Sequence, residues 1–310
     1  MKRRLLLAGA GSLLACTALR AQESEAAPAW RFDEFDWQDS ARQRAVPVRL
    51  YRPAAEPTGP LPLLLFSHGI GGSRRGYSYI GRHLASQGFA SLHVQHVGSD
   101  RTLWGGNLFS LVNRLQSAAQ PSEALARVLD MRFALDRLLA EQPDLVDPHR
   151  IAVAGHSYGA NTSLLLSGAA VPADQALADP RIRAAVFISA PPLHGVAEPE
   201  KALAAIRIPT LHITATEDVI RVPGYGSTAA ERIALFEATG SPLKRLAVFE
   251  GGSHSVFTDR SGTGGALANP RIKQATKELV AEFVAGVFDG SVTRLGDWTQ
   301  RHQPLLARWV

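Results

Sequence analysis

Short, continuous apolar segments recur along this chain, and they constrain its fold more strongly than any other feature of the sequence. Residues 63–66 read Leu-Leu-Leu-Phe, and similar segments lie at residues 150–154 and 184–189. Segments of this length are typical of strands that are buried on both faces of a parallel sheet. We predict further strands at residues 31–37, 46–51, 89–97, 209–215 and 246–249.

Amphipathic helices are predicted between these strands. Residues 123–141 carry leucine, valine and phenylalanine at helical spacing, and residues 77–87 and 272–287 also have a helical pattern. Another helix is predicted to end at Ser167, after the strand at residues 150–154. This alternation of strands and helices predicts an α/β fold with a mostly parallel central sheet and helices on both faces.

The domain organisation follows from the spacing of these elements. No internal repeat or low-complexity linker divides the sequence, so we predict one domain over residues 30–310. Residues 98–121 fit neither the helical nor the strand period. We interpret this segment as an insertion near the mouth of a pocket, because loops of this length are often functional. A packed surface loop is the alternative.

The first 21 residues have the pattern of an export signal. Residues 2–4 are Lys-Arg-Arg and precede an apolar stretch at residues 5–18, and Ala21 offers a cleavage point. The stretch is short for a membrane span, so we predict a signal peptide over residues 1–21 and a periplasmic or secreted protein. The paired arginines also suit the twin-arginine route. Lipoprotein anchoring at Cys16 and an uncleaved helix are the alternatives.

Charge and cysteine content exclude two classes of protein. The net charge is +5, but residues 1–21 hold four basic residues and no acidic ones, so the remainder carries only +1. No basic stripe is interleaved with aromatic residues, and nucleic-acid binding is therefore not predicted. Cys16 is the only cysteine, which excludes a disulfide framework and a cysteine-based zinc or iron–sulfur site.

Residues 155–159 read Gly-His-Ser-Tyr-Gly, which matches the G-x-S-x-G pattern. They follow the predicted strand at residues 150–154 and open a helix, which is the setting that a nucleophile elbow requires. The turn is tight, so its flanking residues must be small, and the two glycines satisfy this. Ser157 is therefore the predicted nucleophile, at the carboxyl end of the sheet and at a helix N-terminus that favours negative charge.

A serine hydroxyl needs a general base, and the base in turn needs an acid that fixes its tautomer. His254 follows the last predicted strand in a Gly-Gly-Ser-His loop and is the predicted base. Asp218 follows the strand at residues 209–215 and is the predicted acid, with Glu217 as the alternative. The order Ser157, Asp218, His254 along the chain is the one expected for such a site in an α/β fold.

Two backbone N–H groups are needed where negative charge develops during acyl transfer. One is predicted to come from Tyr158, the residue after the nucleophile. The other is predicted to come from Ile70, in the His-Gly-Ile-Gly-Gly segment after the strand at residues 63–66. Gly69 allows close approach of the backbone to a ligand, and we predict that Gly69 and Trp104 contact the substrate.

Three segments together resemble a known family: residues 66–77, 93–100 and 155–159. They are similar to the exported α/β hydrolases called predicted dienelactone hydrolases and to bacterial platelet-activating-factor acetylhydrolase-like esterases. The resemblance extends over residues 45–290 and implies the α/β-hydrolase fold and a Ser–Asp–His esterase without metal or organic cofactor. True dienelactone hydrolases use a cysteine nucleophile, whereas this sequence has Ser157 at that position.

From these features we predict an exported serine hydrolase that cleaves carboxylic esters through an acyl-enzyme intermediate. The expected substrate is a small-molecule or lipid-like ester, with no cofactor, no nucleic-acid partner and no stable membrane insertion after signal removal; the oligomeric state stays open. His93 and His96 would point to opposite faces of a strand, so no metal site is predicted. Two alternatives remain: an amidase or peptidase that uses the same three residues, and a non-catalytic binding protein on a hydrolase scaffold.

Overall fold

One sheet of nine strands runs through the part of the chain that the computed structural model describes, residues 28–105, 111–172, 176–193, 195–221, 226–259, 268–291 and 294–310. Its strands are β1 Trp30–Asp39, β2 Arg44–Pro53, β3 Leu61–Ser67, β4 Ala90–Val94, β5 Val146–His156, β6 Ile182–Ile188, β7 Thr210–Glu217, β8 Lys244–Ser253 and β9 Leu306–Trp309. Their spatial order is β1-β2-β4-β3-β5-β6-β7-β8-β9.

The centre of the sheet is parallel and its two edges are antiparallel. Every neighbouring pair from β4 across to β8 is parallel. At one edge β1 and β2 run antiparallel to their neighbours, and at the other edge β9 runs antiparallel to β8. The prediction of a mostly parallel sheet is therefore confirmed.

Helices connect the parallel strands. They are α1 Ser78–Ser86, α2 Leu111–Ala118, α3 Pro121–Glu141, α4 Tyr158–Leu166, α5 Pro199–Ala204, α6 Ala229–Ala238, α7 Ala268–Asp289 and α8 Arg294–His302. Shorter 3-10 helices lie at Arg101–Trp104, His254–Phe257 and Gln303–Leu305.

Side chains of one strand alternate between two apolar cores on opposite faces of the sheet. In β6, Ala185 and Phe187 belong to one core, and Val186 and Ile188 belong to the other. The first core also contains the buried side chains of α3 and α4, and the second contains those of α1 and α7. Helices cover both faces, as predicted, and in sheets of this kind ligands bind in the crevice at the carboxyl ends of the parallel strands.

Short helices lie within residues 98–121, the segment that fits neither sequence period; its interpretation as an insertion near the mouth of a pocket stays a prediction. This segment contains the 3-10 helix Arg101–Trp104 and α2, and α3 begins at Pro121. The Asp100 side chain caps the 3-10 helix by accepting the N–H of Thr102 at 3.0 Å. Elements of four and eight residues are too short to produce a clear helical period, which is why the sequence pattern did not indicate them.

The predicted strand at residues 89–97 ends earlier than expected, at Val94. The backbone N–H of His96 donates to Nε2 of His68 at 3.1 Å, so the chain leaves the sheet there instead of continuing the ladder. His93 therefore lies on the strand, and His96 lies beyond it.

The C-terminal segment packs onto the second core through two tryptophans. The Trp298 side chain on α8 is fully buried, and its indole N–H donates to the Ala275 carbonyl on α7 at 2.9 Å. The rings of Trp298 and Trp309 lie 5.1 Å apart, and β9 completes the sheet edge beside β8. The tail is thus part of the fold.

The helices in the described ranges all lack a segment long and apolar enough to cross a membrane. The predicted signal peptide at residues 1–21, including Cys16, lies outside the described residues.

Candidate active site

Ser157 lies at a sharp turn between β5 and α4, where only glycines fit on either side. A Cβ atom on Gly155 would collide with the backbone of Gly159, and a Cβ on Gly159 would collide with the Ser67 carbonyl at the end of β3. Ser157 itself has φ 56° and ψ −125°, a backbone conformation that residues other than glycine rarely adopt. This strained turn lifts the serine hydroxyl clear of the sheet.

The side chains of Ser157, His254 and Asp218 lie within hydrogen-bond distance of one another. Nε2 of His254 lies 2.9 Å from Oγ of Ser157, and Nδ1 of His254 lies 2.8 Å from Oδ1 of Asp218. The three residues follow β5, β7 and β8, whose carboxyl ends meet at one edge of the sheet. The structure thus brings together residues that are far apart in the sequence.

The hydrogen bonds fix the tautomer of the His254 ring. An ionised carboxylate only accepts hydrogen bonds, so Nδ1 must carry the proton that is donated to Asp218. In the neutral ring Nε2 is then free of a proton and accepts from the hydroxyl of Ser157. This is the arrangement in which the imidazole can take the serine proton.

Asp218 is kept ionised in a buried position. Burial raises the pKa of its carboxyl group, but the hydrogen bond from His254 and the charges of His254 and Arg232 outweigh burial and lower the pKa to about 2. The hydroxyl groups of Thr214, at 2.8 Å, and Ser189 also donate to the carboxylate. Glu217, the alternative acid, is exposed on β7, and the hydrogen bond and ion pair of His254 to a carboxylate in the described residues go to Asp218.

Arg232 on α6 is a charged neighbour of the acid that the sequence did not indicate. Its side chain is buried, and its Nε atom lies 3.1 Å from Oδ2 of Asp218. A terminal nitrogen of its guanidinium group lies 3.4 Å from Nδ1 of His254. Because that Nδ1 atom already carries a proton, this last contact is electrostatic and not a hydrogen bond.

His156 and Tyr77 connect the base to the opposite side of the site. Burial lowers the pKa of His156 to about 3, so its ring is neutral. Its Nε2 donates to the His254 carbonyl at 3.1 Å, and its Nδ1 accepts from the Tyr77 hydroxyl at 2.8 Å. The Tyr77 oxygen in turn accepts the N–H of Gly69 at 3.3 Å. His156 therefore has a structural role, as a donor to the backbone of the residue His254.

Residues 68–72, which we call the glycine loop, pass directly beside Ser157. A Cβ atom on Gly69 would lie 3.2 Å from Cβ of Ser157. Within the described residues, the N–H of Ile70 has no hydrogen-bond partner, whereas the N–H groups of Gly71 and Gly72 are bonded to Ser99 and Gly69. The loop therefore offers one unused backbone donor close to Ser157.

Trp104 covers the far side of the glycine loop. Its indole N–H donates to the Gly71 carbonyl at 2.9 Å, and a Cβ on Gly71 would collide with the indole ring. The side chain is still 50% exposed, so one face of the ring is available beside the loop. The predicted contact of Trp104 with a substrate is compatible with this position but is not tested by it.

The two histidines considered as metal ligands are separated and have other roles. Nδ1 of His93 donates to the Gly76 carbonyl and its Nε2 accepts from the Ser91 hydroxyl, and His96 contacts Ser67 and Asp130. In the ranges that the structure describes, no group of three or more metal-ligating side chains occurs.

Known structures share this architecture. A dienelactone hydrolase from Anabaena variabilis is 18% identical and aligns with a TM-score of 0.54, covering 81% of this chain and 96% of its own. A cold-adapted esterase from an Arctic intertidal metagenomic library is 18% identical with a TM-score of 0.53, covering 79% of this chain and 94% of its own. The chain has the α/β-hydrolase fold. The predicted fold class is thereby confirmed.

Sequence comparison links part of this chain to one family. A family model described as platelet-activating factor acetylhydrolase, isoform II, matches residues 41–102, which include the glycine loop. The platelet-activating factor acetylhydrolase of Bos taurus is 32% identical over 139 residues, covering 33% of this chain and 30% of the bovine protein. The predicted resemblance is confirmed, although the match spans less than a third of the length of that curated relative.

Proposed function

We propose that this α/β hydrolase cleaves carboxylic esters through an acyl-enzyme intermediate on Ser157. The observation that carries the proposal is the pair of hydrogen bonds that link Ser157, His254 and Asp218, at 2.9 and 2.8 Å. The geometry supplies a nucleophile, a base in the right tautomer and an ionised acid in one place.

The reaction proceeds in two acyl transfers. Ser157 Oγ attacks the ester carbon while His254 Nε2 takes the hydroxyl proton, and the carbonyl oxygen becomes an oxyanion. Collapse of this tetrahedral intermediate breaks the bond to the alcohol, which leaves with the proton from His254. Water then attacks the acyl-enzyme in the same way, with His254 as base, and releases the carboxylic acid and the free serine. Asp218 stays ionised and stabilises the imidazolium in each step.

The oxyanion binds the backbone N–H groups of Ile70 and Tyr158 in this mechanism. The glycine loop passes beside Ser157, and the N–H of Ile70 is unpartnered among the described residues, which supports the assignment. Tyr158 is the first residue of α4, so its N–H belongs to a helix N-terminus that favours negative charge. Each donor contributes about 3 kcal/mol to lowering the barrier.

The substrate class is a small-molecule or lipid-like ester that lies against Gly69 and Trp104. The partial match to platelet-activating factor acetylhydrolases supports an ester and not a nucleic acid or a peptide. The half-exposed ring of Trp104 offers an apolar surface next to the glycine loop. No cofactor takes part in the proposed steps, since nucleophile, base and oxyanion donors all come from the chain.

Replacing Ser157 tests the proposal. We expect Ser157→Ala to lower kcat for a short p-nitrophenyl ester by at least about 10⁴-fold, because no other group replaces the nucleophile. The matched control is Ser163→Ala on α4, whose hydroxyl donates only to the Gly159 carbonyl within the helix. Melting temperatures show whether both variants are folded.

Two further readouts in the same experiment separate the rival functions. A fluorophosphonate probe should label the wild-type protein and not Ser157→Ala, whereas a non-catalytic binding protein would not be labelled. An amidase or peptidase would process a matched amide at least as well as the ester. Turnover retained in Ser157→Ala would remove Ser157 from the mechanism.

We also propose that the protein is exported, on the basis of the basic and apolar pattern at residues 1–21. Expression of the full chain followed by N-terminal sequencing of the periplasmic fraction tests this. A mature N-terminus at Gln22 supports cleavage after Ala21. A lipid modification that is present in wild type and absent in Cys16→Ser would indicate lipoprotein anchoring instead. An intact N-terminus in the cytoplasm would contradict export.

A further inference from the structure

Arg127 on α3 is an unusual side chain to find in the interior of this fold. Its guanidinium group is fully buried, and it forms no ion pair with any carboxylate of the described residues. Burying an unpaired charge is costly unless hydrogen bonds replace the lost water. The positions of those hydrogen bonds therefore indicate what the side chain does.

The guanidinium group fixes the glycine loop at His68 directly and at Gly71 through Ser99. It donates to the carbonyl oxygen of His68 and, at 3.0 Å, to the hydroxyl of Ser67 at the end of β3. It also donates to the hydroxyl of Ser99 at 2.8 Å, and the carbonyl of Ser99 accepts the N–H of Gly71 at 2.9 Å. Ile70 thus lies between two residues whose backbones are fixed, directly or through Ser99, by Arg127.

The same group also contacts the start of α4. Its Nε donates to the hydroxyl of Thr162 at 3.0 Å, and its central carbon lies 4.8 Å from the centre of the Tyr158 ring. Thr162 is one turn into the helix that begins at Tyr158. A single planar cation therefore bridges the loop that carries the Ile70 N–H and the helix that carries the Tyr158 N–H.

We propose that Arg127 is a positioning residue that sets the distance between the two backbone donors of the oxyanion site. This inference rests on the proposed function, because the two N–H groups matter only if an oxyanion forms at Ser157. The planar fork of arginine can bind the His68 carbonyl and three hydroxyl groups at once, which the ammonium group of lysine cannot do. Its effect is therefore expected in the transition state and not in the binding of the ground-state ester.

The test compares Arg127→Lys and Arg127→Met with wild type on a short p-nitrophenyl ester. We expect kcat to fall by about 10²-fold in both variants, as for loss of one oxyanion donor, with KM changed by less than about threefold. Affinity for a trifluoromethyl ketone, which forms a tetrahedral adduct with the serine, should fall in parallel with kcat/KM. The acid limb of the pH profile should not move, because Arg127 does not contact His254.

Controls separate positioning from loss of stability. Leu138→Ala on α3 removes a fully buried side chain remote from the glycine loop, so it should lower the melting temperature without lowering kcat. Arg132→Met removes an arginine from the same helix whose contacts are the carbonyls of Ala176 and Ala178. If the Arg127 variants do not fold, Thr162→Val removes one acceptor and leaves the guanidinium in place, with an expected loss of about threefold to tenfold in kcat.

Three results would overturn the inference. The first is a folded Arg127 variant with the kcat of wild type. The second, if the Arg127 variants do not fold, is a Thr162→Val variant with the kcat of wild type. The third is a Leu138→Ala variant that is destabilised as much as the Arg127 variants and loses as much kcat as they do. In each case the proposed function still holds if the wild-type protein hydrolyses the ester and Ser157→Ala does not. A wild-type protein without ester hydrolysis would instead contradict the proposed function and this inference with it.

Discussion

Asp218 determines what His254 can do. Its carboxylate accepts the proton on Nδ1 at 2.8 Å and leaves Nε2 open towards Ser157. Burial alone would favour a neutral acid, but His254, Arg232 and two hydroxyl groups hold the carboxylate ionised. A neutral side chain of the same shape would not impose this tautomer.

Asp218→Asn should therefore lower kcat by about 10⁴-fold while the fold is retained, because the amide can hold the histidine ring in the wrong tautomer. The matched control is Glu217→Gln, one residue earlier on the exposed side of the strand end, and we expect wild-type kcat there. Measuring kcat for both variants with the p-nitrophenyl ester checks this. Equal losses in the two variants would mean that Asp218 has no special role.

At the scale of single residues, the sequence predicted the groups that are marked by a local pattern. Ser157 lies in a turn flanked by glycines, and His254 and Asp218 each follow an apolar strand. Each residue could therefore be picked out by its position after a predicted strand. Arg232 and Tyr77 could not be found in this way. Their relation to the site depends on where α6 and α1 pack, which no short-range pattern encodes.

At the scale of secondary-structure elements, α8 packs on α7 and β9 pairs with β8 at one edge of the sheet. Trp298 is 0% exposed, bonds to α7 through its indole N–H and packs against Trp309 on β9. Its ring also packs edge-to-face on Phe249 of β8, the strand that precedes the base. The C-terminal elements thus support the strand from which the His254 loop leaves.

Trp298→Ala should reduce the free energy of unfolding by about 3–5 kcal/mol, as expected for deletion of a large buried aromatic side chain. Trp104→Ala is the matched control, because Trp104 is half-exposed and its removal leaves no closed cavity. Urea unfolding of the two variants measures the difference. A loss of less than about 1 kcal/mol in Trp298→Ala would show that the tail does not stabilise the core.

The elements that sequence analysis identified are those with a strong apolar period. The parallel strands and the long helices α3 and α7 were predicted within a few residues of their observed ends. Helix α6 was missed, although Thr228 and Glu231 form a capping box that marks its start. Helix α8 was missed because its sequence is mostly polar and, among its described side chains, only Leu295 and Trp298 belong to the core.

At the scale of the whole molecule, several buried histidines stay neutral at a pH at which an exposed histidine is protonated. Burial lowers the pKa of His93, His156 and His212 to about 3, and it lowers the pKa of His68 and His96 well below the usual range. The unfolded chain takes up protons at these positions near pH 6.5, whereas the folded chain does not. Stability therefore falls as the pH drops below about 6.5.

Between pH 7.5 and 5.5 we expect the free energy of unfolding to fall by about 4 kcal/mol because of His93, His156 and His212 alone. Each of the three contributes about 1.4 kcal/mol. Asp130, whose pKa burial raises, acts in the opposite direction, and the carboxyl groups with lowered pKa values titrate below this range. Urea unfolding at the two pH values tests the sum. A stability that stays constant across this range would contradict the assignment of neutral histidines.

One histidine allows a sharper version of the measurement. His212 packs between Phe187 and Phe236, and its Nε2 has no hydrogen-bond partner within the described residues. His212→Phe should reduce the pH dependence by about 1.4 kcal/mol over the same interval, and an unchanged pH dependence would contradict a neutral His212.

The wide spacing of the three reactive side chains has a consequence during synthesis. His254 comes 97 residues after Ser157, and the helix that packs behind its loop ends only at Asp289. A chain still emerging from the ribosome has Ser157 before it has His254, the proposed base. The proposed ester cleavage therefore requires the chain to be made at least as far as Asp289, and covalent capture of Ser157 would report how much of a newly made population has passed that point.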